Sequence, residues 1–124
     1  MTIANGRRCL TATGGGKLRM TGCAASDSQT FQLAHRRDLL YLPIAGGTSV
    51  CWDMTALRQS GKTLYLYPCH AEDHQLFRFV PHADGTFAVF TTTGLQCLEV
   101  RGARVEQQPC NRSASQKWLV RPLR

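Results

Sequence analysis

The feature that most constrains this chain is one spacing that occurs three times. Cys23 is followed six residues later by Gln29-Thr30-Phe31, Cys69 by Gln75-Leu76-Phe77, and Cys110 by Gln116-Lys117-Trp118. The glutamines lie 46 and then 41 residues apart, and Phe31 to Cys51 spans the same 20 residues as Phe77 to Cys97. A repeat of this length is one supersecondary unit that cannot bury its apolar face alone and must stack on its neighbours. The copies fall at about 1–40, 41–83 and 84–124, within one domain over 1–124.

Each copy reads as strands and turns. In the middle copy Leu64 and Leu66 alternate with Tyr65 and Tyr67, so period two puts the leucines on one face and the tyrosines on the other. Leu18 and Met20 hold the leucine positions in the first copy, and Val105 and Gln107 hold them, less regularly, in the third. Gly14-Gly15-Gly16, Ser60-Gly61-Lys62 and Arg101-Gly102-Ala103 predict hairpin turns between the cysteines. Asn5-Gly6, Gly46-Gly47 and Thr93-Gly94 predict turns before them. No segment has a sustained 3.6-residue apolar period with caps, so helix should be scarce. Short strands at this rhythm argue an all-β barrel or sandwich.

Six cysteines in a short chain favour disulfides and an oxidising compartment. Of the connectivities they allow, the repeat selects Cys9–Cys23, Cys51–Cys69 and Cys97–Cys110. A zinc knuckle is a poor alternative, because no two cysteines lie two to four residues apart and His70 is the only nearby further ligand. No metal and no cofactor are therefore expected. Met1 to Gly6 lacks the apolar core of a signal peptide. The expectation is a secreted or extracellular protein whose leader is not in this chain. No apolar run approaches the roughly 20 residues needed to span a bilayer, so membrane insertion is not expected.

The formal charge of +7 is uneven: +4 over residues 1–40, zero over 41–83 and +3 over 84–124. The basic excess serves solubility or attraction to an acidic glycan, lipid or protein surface. Nucleic acid is not expected as a partner, because the basic residues are not interleaved with aromatic ones.

A cysteine followed by an apolar residue and, in the second and third copies, an acid, then a strand into a second cysteine and Gln-x-aromatic, three times over: the chain resembles a ricin B-type lectin domain along nearly its whole length. The resemblance implies a β-trefoil of twelve strands in three four-stranded units, a six-stranded barrel closed by three hairpins. It also implies that Phe31, Phe77 and Trp118, and Leu10, Trp52 and Leu98, are core residues, Trp52 included despite its appeal as a sugar platform.

Sugar recognition needs a carboxylate or amide for adjacent hydroxyls and a ring for the C–H face. In the resembled family the acid stands two residues after the first cysteine and the ring two before the second. An amide-bearing residue precedes the glutamine. In the middle copy these are Asp53, Tyr67 and His74. His74 departs from the usual Asn. His70 follows the second cysteine, where some members place a sugar-contacting His. Tyr65 would widen the platform, and Gln75 would link the Asp53 region to the core and orient it. The first copy has Thr11 and Thr21 instead, so no site is expected there. The third has Glu99 and Gln108, an acid without a ring, with Asn111 after Cys110. The middle third alone should present an acid and a flat ring side by side to solvent.

The expected function is a lectin module for galactose or N-acetylgalactosamine glycans. The alternative is a receptor-binding or docking subunit of a toxin or multi-chain complex, contacting protein or acidic glycan through the basic first and third copies. Parent enzyme or toxin chains are then possible partners. An enzyme is not expected: Asp53, Glu99 and Glu106 fall in different copies or on different strands, and no nucleophile–base pair is visible.

Overall fold

In the computed structural model, described for residues 1–54, 61–92 and 95–122, the chain forms twelve strands. They are β1 (Thr2–Asn5), β2 (Arg8–Gly14), β3 (Lys17–Gly22), β4 (Phe31–Arg37), β5 (Leu40–Ala45), β6 (Val50–Asp53), β7 (Tyr65–Pro68), β8 (Phe77–Pro81), β9 (Phe87–Thr91), β10 (Cys97–Arg101), β11 (Arg104–Gln108) and β12 (Leu119–Arg121). The only helical pieces among the described residues are single 3-10 turns at Asp27–Gln29, Asp73–Gln75 and Ala114–Gln116, each carrying one of the repeated glutamines. The strands follow the order β11-β10-β9-β8-β5-β6-β7-β3-β2-β1-β12, with β4 on β5, and β1 pairs β12 near the chain ends. The architecture is a β-trefoil, with all three disulfides formed within copies.

The pseudo-symmetry is carried by the backbone. Residues 20, 66 and 107 are equivalent under the 46- and 41-residue offsets. The amides of Met20, Leu66 and Gln107 donate to the carbonyls of Ala103, Gly16 and Lys62, at 2.8, 2.7 and 3.0 Å. Each hairpin tip is thus bonded to the following copy, and the third to the first, which closes a ring of three. Gly16 has φ +76°, and a Cβ there would meet the Leu66 carbonyl oxygen at 2.9 Å, so its turn requires glycine. The turn expected at Thr93-Gly94, and Ser60 of the Ser60-Gly61-Lys62 turn, lie outside the described residues.

The core is the one the repeat demands. Leu10, Trp52 and Leu98, and Phe31, Phe77 and Trp118, are each at most 1% exposed. Trp52 is edge-packed between Phe31 and Phe77, with centroids 5.7 and 5.6 Å away. Burying such side chains stabilises the fold by on the order of 2–3 kcal/mol apiece. The irregular third-copy pattern has a structural counterpart: Gln107 takes the position of Met20 and Leu66 and is fully buried.

Candidate functional site

The site grows from a glutamine clamp found in every copy. Gln29, Gln75 and Gln116 are buried, and each side-chain oxygen accepts an amide just after the second cysteine: Ala24, His70 together with Ala71, and Asn111. Each side-chain nitrogen donates to the carbonyl before that cysteine, on Gly22, Pro68 or Pro109, at 2.8–2.9 Å. It also donates to the residue two places after the first cysteine: Thr11 at 3.2 Å, Asp53 at 2.9 Å, Glu99 at 2.9 Å. The clamp holds the turn in an uncommon shape, with Ala25, Ala71 and Arg112 at φ 50°, 60° and 59°. What differs between copies is the group the clamp grips.

In the middle copy the register pairs Cys51 with Tyr67 and Asp53 with Tyr65 across β6 and β7. Opposed residues of a ladder share a face, so Asp53, Tyr65 and Tyr67 lie on the side away from Leu64 and Leu66. A line of rings follows: Tyr65 to Tyr67 at 6.5 Å, Tyr67 to His70 at 6.4 Å, His70 to His74 at 4.6 Å between centroids. Tyr67 is 54% exposed.

The expectation that Asp53 faces solvent beside Tyr67 is overturned. Asp53 is fully buried. The imidazoles of His70 and His74 lie over it, with their Nε2 atoms 3.7 and 3.9 Å from Oδ2 and 3.0 Å from each other. The reason is the turn through Asp73–Gln75, which folds His74 back over the end of β6, where the Met54 amide donates to the His74 carbonyl at 2.9 Å. The outward polar groups are therefore the two half-exposed imidazoles. His70 has a local duty as well: its Nδ1 accepts the Glu72 amide at 3.1 Å, as Asn111 Oδ1 accepts the Ser113 amide at 2.9 Å at the equivalent turn. Glu72 was missed by sequence reasoning. Its place two residues after a side chain able to cap a turn was the available signal.

Among the described residues, the other copies present nothing comparable. Thr11 and Thr21 bond to each other at 2.7 Å. Glu99 is buried and taken at both oxygens, by Gln116 and by Arg101, whose guanidinium the carboxylate holds more firmly in its charged form. Gln108 donates to Glu106 at 3.0 Å, and Asn111 is engaged in its turn.

The profile of the ricin-type beta-trefoil lectin domain matches residues 40–123. No curated protein matches the sequence. Among solved structures, the designed three-fold symmetric protein ThreeFoil is similar at TM-score 0.86 and 19% identity, over 98% of this chain and 97% of that one. The exo-beta-1,3-galactanase 1,3Gal43A of Clostridium thermocellum is similar at TM-score 0.85 and 15% identity, over 95% of this chain but only 29% of that one. The Polyporus squamosus lectin bound to Neu5Aca2-6Galb1-4GlcNAc is similar at TM-score 0.82 and 12% identity, over 94% and 46%.

Proposed function

The chain belongs to the ricin-type beta-trefoil lectin domain family, and we propose that it is a non-catalytic module binding galactose or N-acetylgalactosamine glycans through its middle copy. The observation that carries this is the exposed ring of Tyr67 set beside an imidazole pair backed by a buried carboxylate, in one copy alone among the described residues. The Tyr67 ring covers the C–H face of the sugar. His70 and His74 exchange hydrogen bonds with adjacent hydroxyls, and Tyr65 extends the platform. Asp53 and Gln75 act behind them: the clamp fixes the carboxylate, and the carboxylate orients the imidazoles. Two fold neighbours, one an exo-beta-1,3-galactanase and one a lectin bound to a galactose-containing glycan, lend support to the sugar class. Three disulfides suit a secreted or extracellular setting.

A single shallow site implies a dissociation constant of roughly 0.1 to several mM for a free monosaccharide. Useful avidity then comes from linkage to other modules. A glycan array with titration of the leading hits tests the reading. Tyr67→Ala should abolish detectable binding, and Asp53→Asn should weaken it by about tenfold or more. Silence on every galactose-terminated glycan, or full binding by Tyr67→Ala, would falsify it.

A further inference from the structure

Asp53 Oδ2, His70 Nε2 and His74 Nε2 converge on one point, and we propose that they form a divalent transition-metal site, best suited to Zn²⁺. The three separations, 3.0, 3.7 and 3.9 Å, define a triangle whose centre lies about 2.1 Å from every corner. Zinc bonds to imidazole nitrogen and carboxylate oxygen are about 2.0–2.2 Å long. A tetrahedral ion with such bonds needs its ligands about 3.4 Å apart. The observed values bracket that length, so sub-ångström side-chain shifts complete the geometry.

A second observation points the same way. The Asp53 side chain is fully buried, yet Gln75 is its one hydrogen-bond donor, and Oδ1 has no partner among the described residues. Both imidazole contacts to Oδ2 are too long to be hydrogen bonds. Burying a carboxylate costs heavily unless it is paired or holds a metal. The gap between the three atoms is the size a cation fills. Two nitrogens and one oxygen favour zinc, copper or nickel over calcium or magnesium. No cysteine competes, because all six are in disulfides. The cysteine spacing that argued against a zinc knuckle does not bear on this ligand set.

Loading has one consequence for the protons. Without metal, His70 Nδ1 accepts the Glu72 amide, which leaves the ring proton on Nε2, facing His74. Coordination through Nε2 moves that proton to Nδ1, which breaks the bond from the Glu72 amide and turns that amide to solvent. The acceptor within reach there is the Glu72 carboxylate, whose Oε2 is 4.0 Å away. Glu72 then becomes a positioning residue of the carboxylate–histidine–metal kind.

The site shares residues with the sugar reading but does not depend on it. Zn²⁺ titration by calorimetry is run on the intact oxidised chain without glycan, and galactose titration is run in chelator, so either can fail alone. One equivalent of Zn²⁺ should bind at micromolar concentration or tighter. Co²⁺ should give tetrahedral visible absorption. The ring-proton resonances of His70 and His74, and not those of His35 and His82, should shift on loading. His74→Ala and Asp53→Asn should weaken binding by about 100-fold, and Glu72→Gln by about tenfold. Absence of saturable binding, or ring shifts confined to His35 or His82, would overturn the proposal without recourse to any variant.

Discussion

Truncating Gln75 to Ala removes the one side chain that ties the second cysteine's turn to the acid of the middle copy. Its four bonds run to Asp53, to the Pro68 carbonyl, and from the His70 and Ala71 amides. A bond to a charged group contributes about 1.5–3 kcal/mol, and the neutral ones about 1 kcal/mol each where the group left behind stays buried. The shared acceptor of the two amides counts once, so the loss is about 4 kcal/mol. Gln29 supplies the internal control. It makes the matching backbone bonds, with one amide, Ala24, on its oxygen in place of two, but its side-chain partners are two threonine hydroxyls at 3.2 and 3.3 Å. Gln29→Ala should therefore cost about 2.5 kcal/mol, and the difference of about 1.5 kcal/mol reports the buried charge of Asp53. Urea unfolding with the disulfides intact measures both. At a slope of about 1.5 kcal/mol/M, the Gln75 variant should lose about 2.7 M from its midpoint with the slope unchanged. A Gln75→Ala cost equal to or below that of Gln29→Ala would refute the claim that the clamp holds an otherwise unsatisfied carboxylate.

Three further outcomes follow from single features. Ala71 sits at φ 60°, where a β-branched side chain is strained, so Ala71→Val should lower stability by about 1–2 kcal/mol while Ala71→Gly stays within about 0.5 kcal/mol. The Asp84 carboxyl is held well below the usual carboxylate range by donation from the Thr86 hydroxyl and amide, then by Lys117. A lowered folded value means stability that is present above about pH 4 and lost as pH falls below it. Thermal melts from about pH 5 downward should show the gap between wild type and Asp84→Asn closing as the acid protonates. Replacing both Cys51 and Cys69 by Ala opens a loop of sequence separation 18 and should cost about 3 kcal/mol in unfolding free energy.

The fold was legible because its determinants are local and repeated. Cysteine and Gln-x-aromatic spacings fix which residues must meet at the centre, and the aromatic core follows whatever the surface does. The site was legible only as a set of positions. Whether Asp53 reaches solvent depends on how the turn at Asp73–Gln75 folds His74 back, and on the rotamer of His70, which the Glu72 amide selects. Neither is encoded in spacing. The same holds for Glu99: Arg101 stands two residues further along β10, hence on the same face, and closes the acid. A charge two residues from an acid on a strand is a readable signal for this, but only once the strand is known to run through both.

That reading of the third copy can be tested by construction. Glu99 is gripped by Gln116 as Asp53 is by Gln75, so the acid is already in place. Three things separate it from the middle copy: Arg101 occupies its second oxygen, Gln108 stands where Tyr67 supplies a ring, and Asn111 and Ser115 stand where the middle copy has His70 and His74. Arg101→Ala frees the oxygen, and Gln108→Tyr supplies the ring. Gln108 gives up a bond to Glu106, but Arg104 remains on that carboxylate at 3.0 Å, so the loss should stay within about 1 kcal/mol. Asn111→His and Ser115→His complete the set, and with them the variant should bind two equivalents of galactose by calorimetry, where wild type and the Arg101→Ala, Gln108→Tyr double variant each bind one. Surface-immobilised glycan should hold the completed variant more tightly than wild type, because the second contact is intramolecular. Two equivalents in the folded double variant would mean that an acid and a ring at these positions suffice without imidazoles. That result would refute the assignment of hydroxyl recognition to His70 and His74.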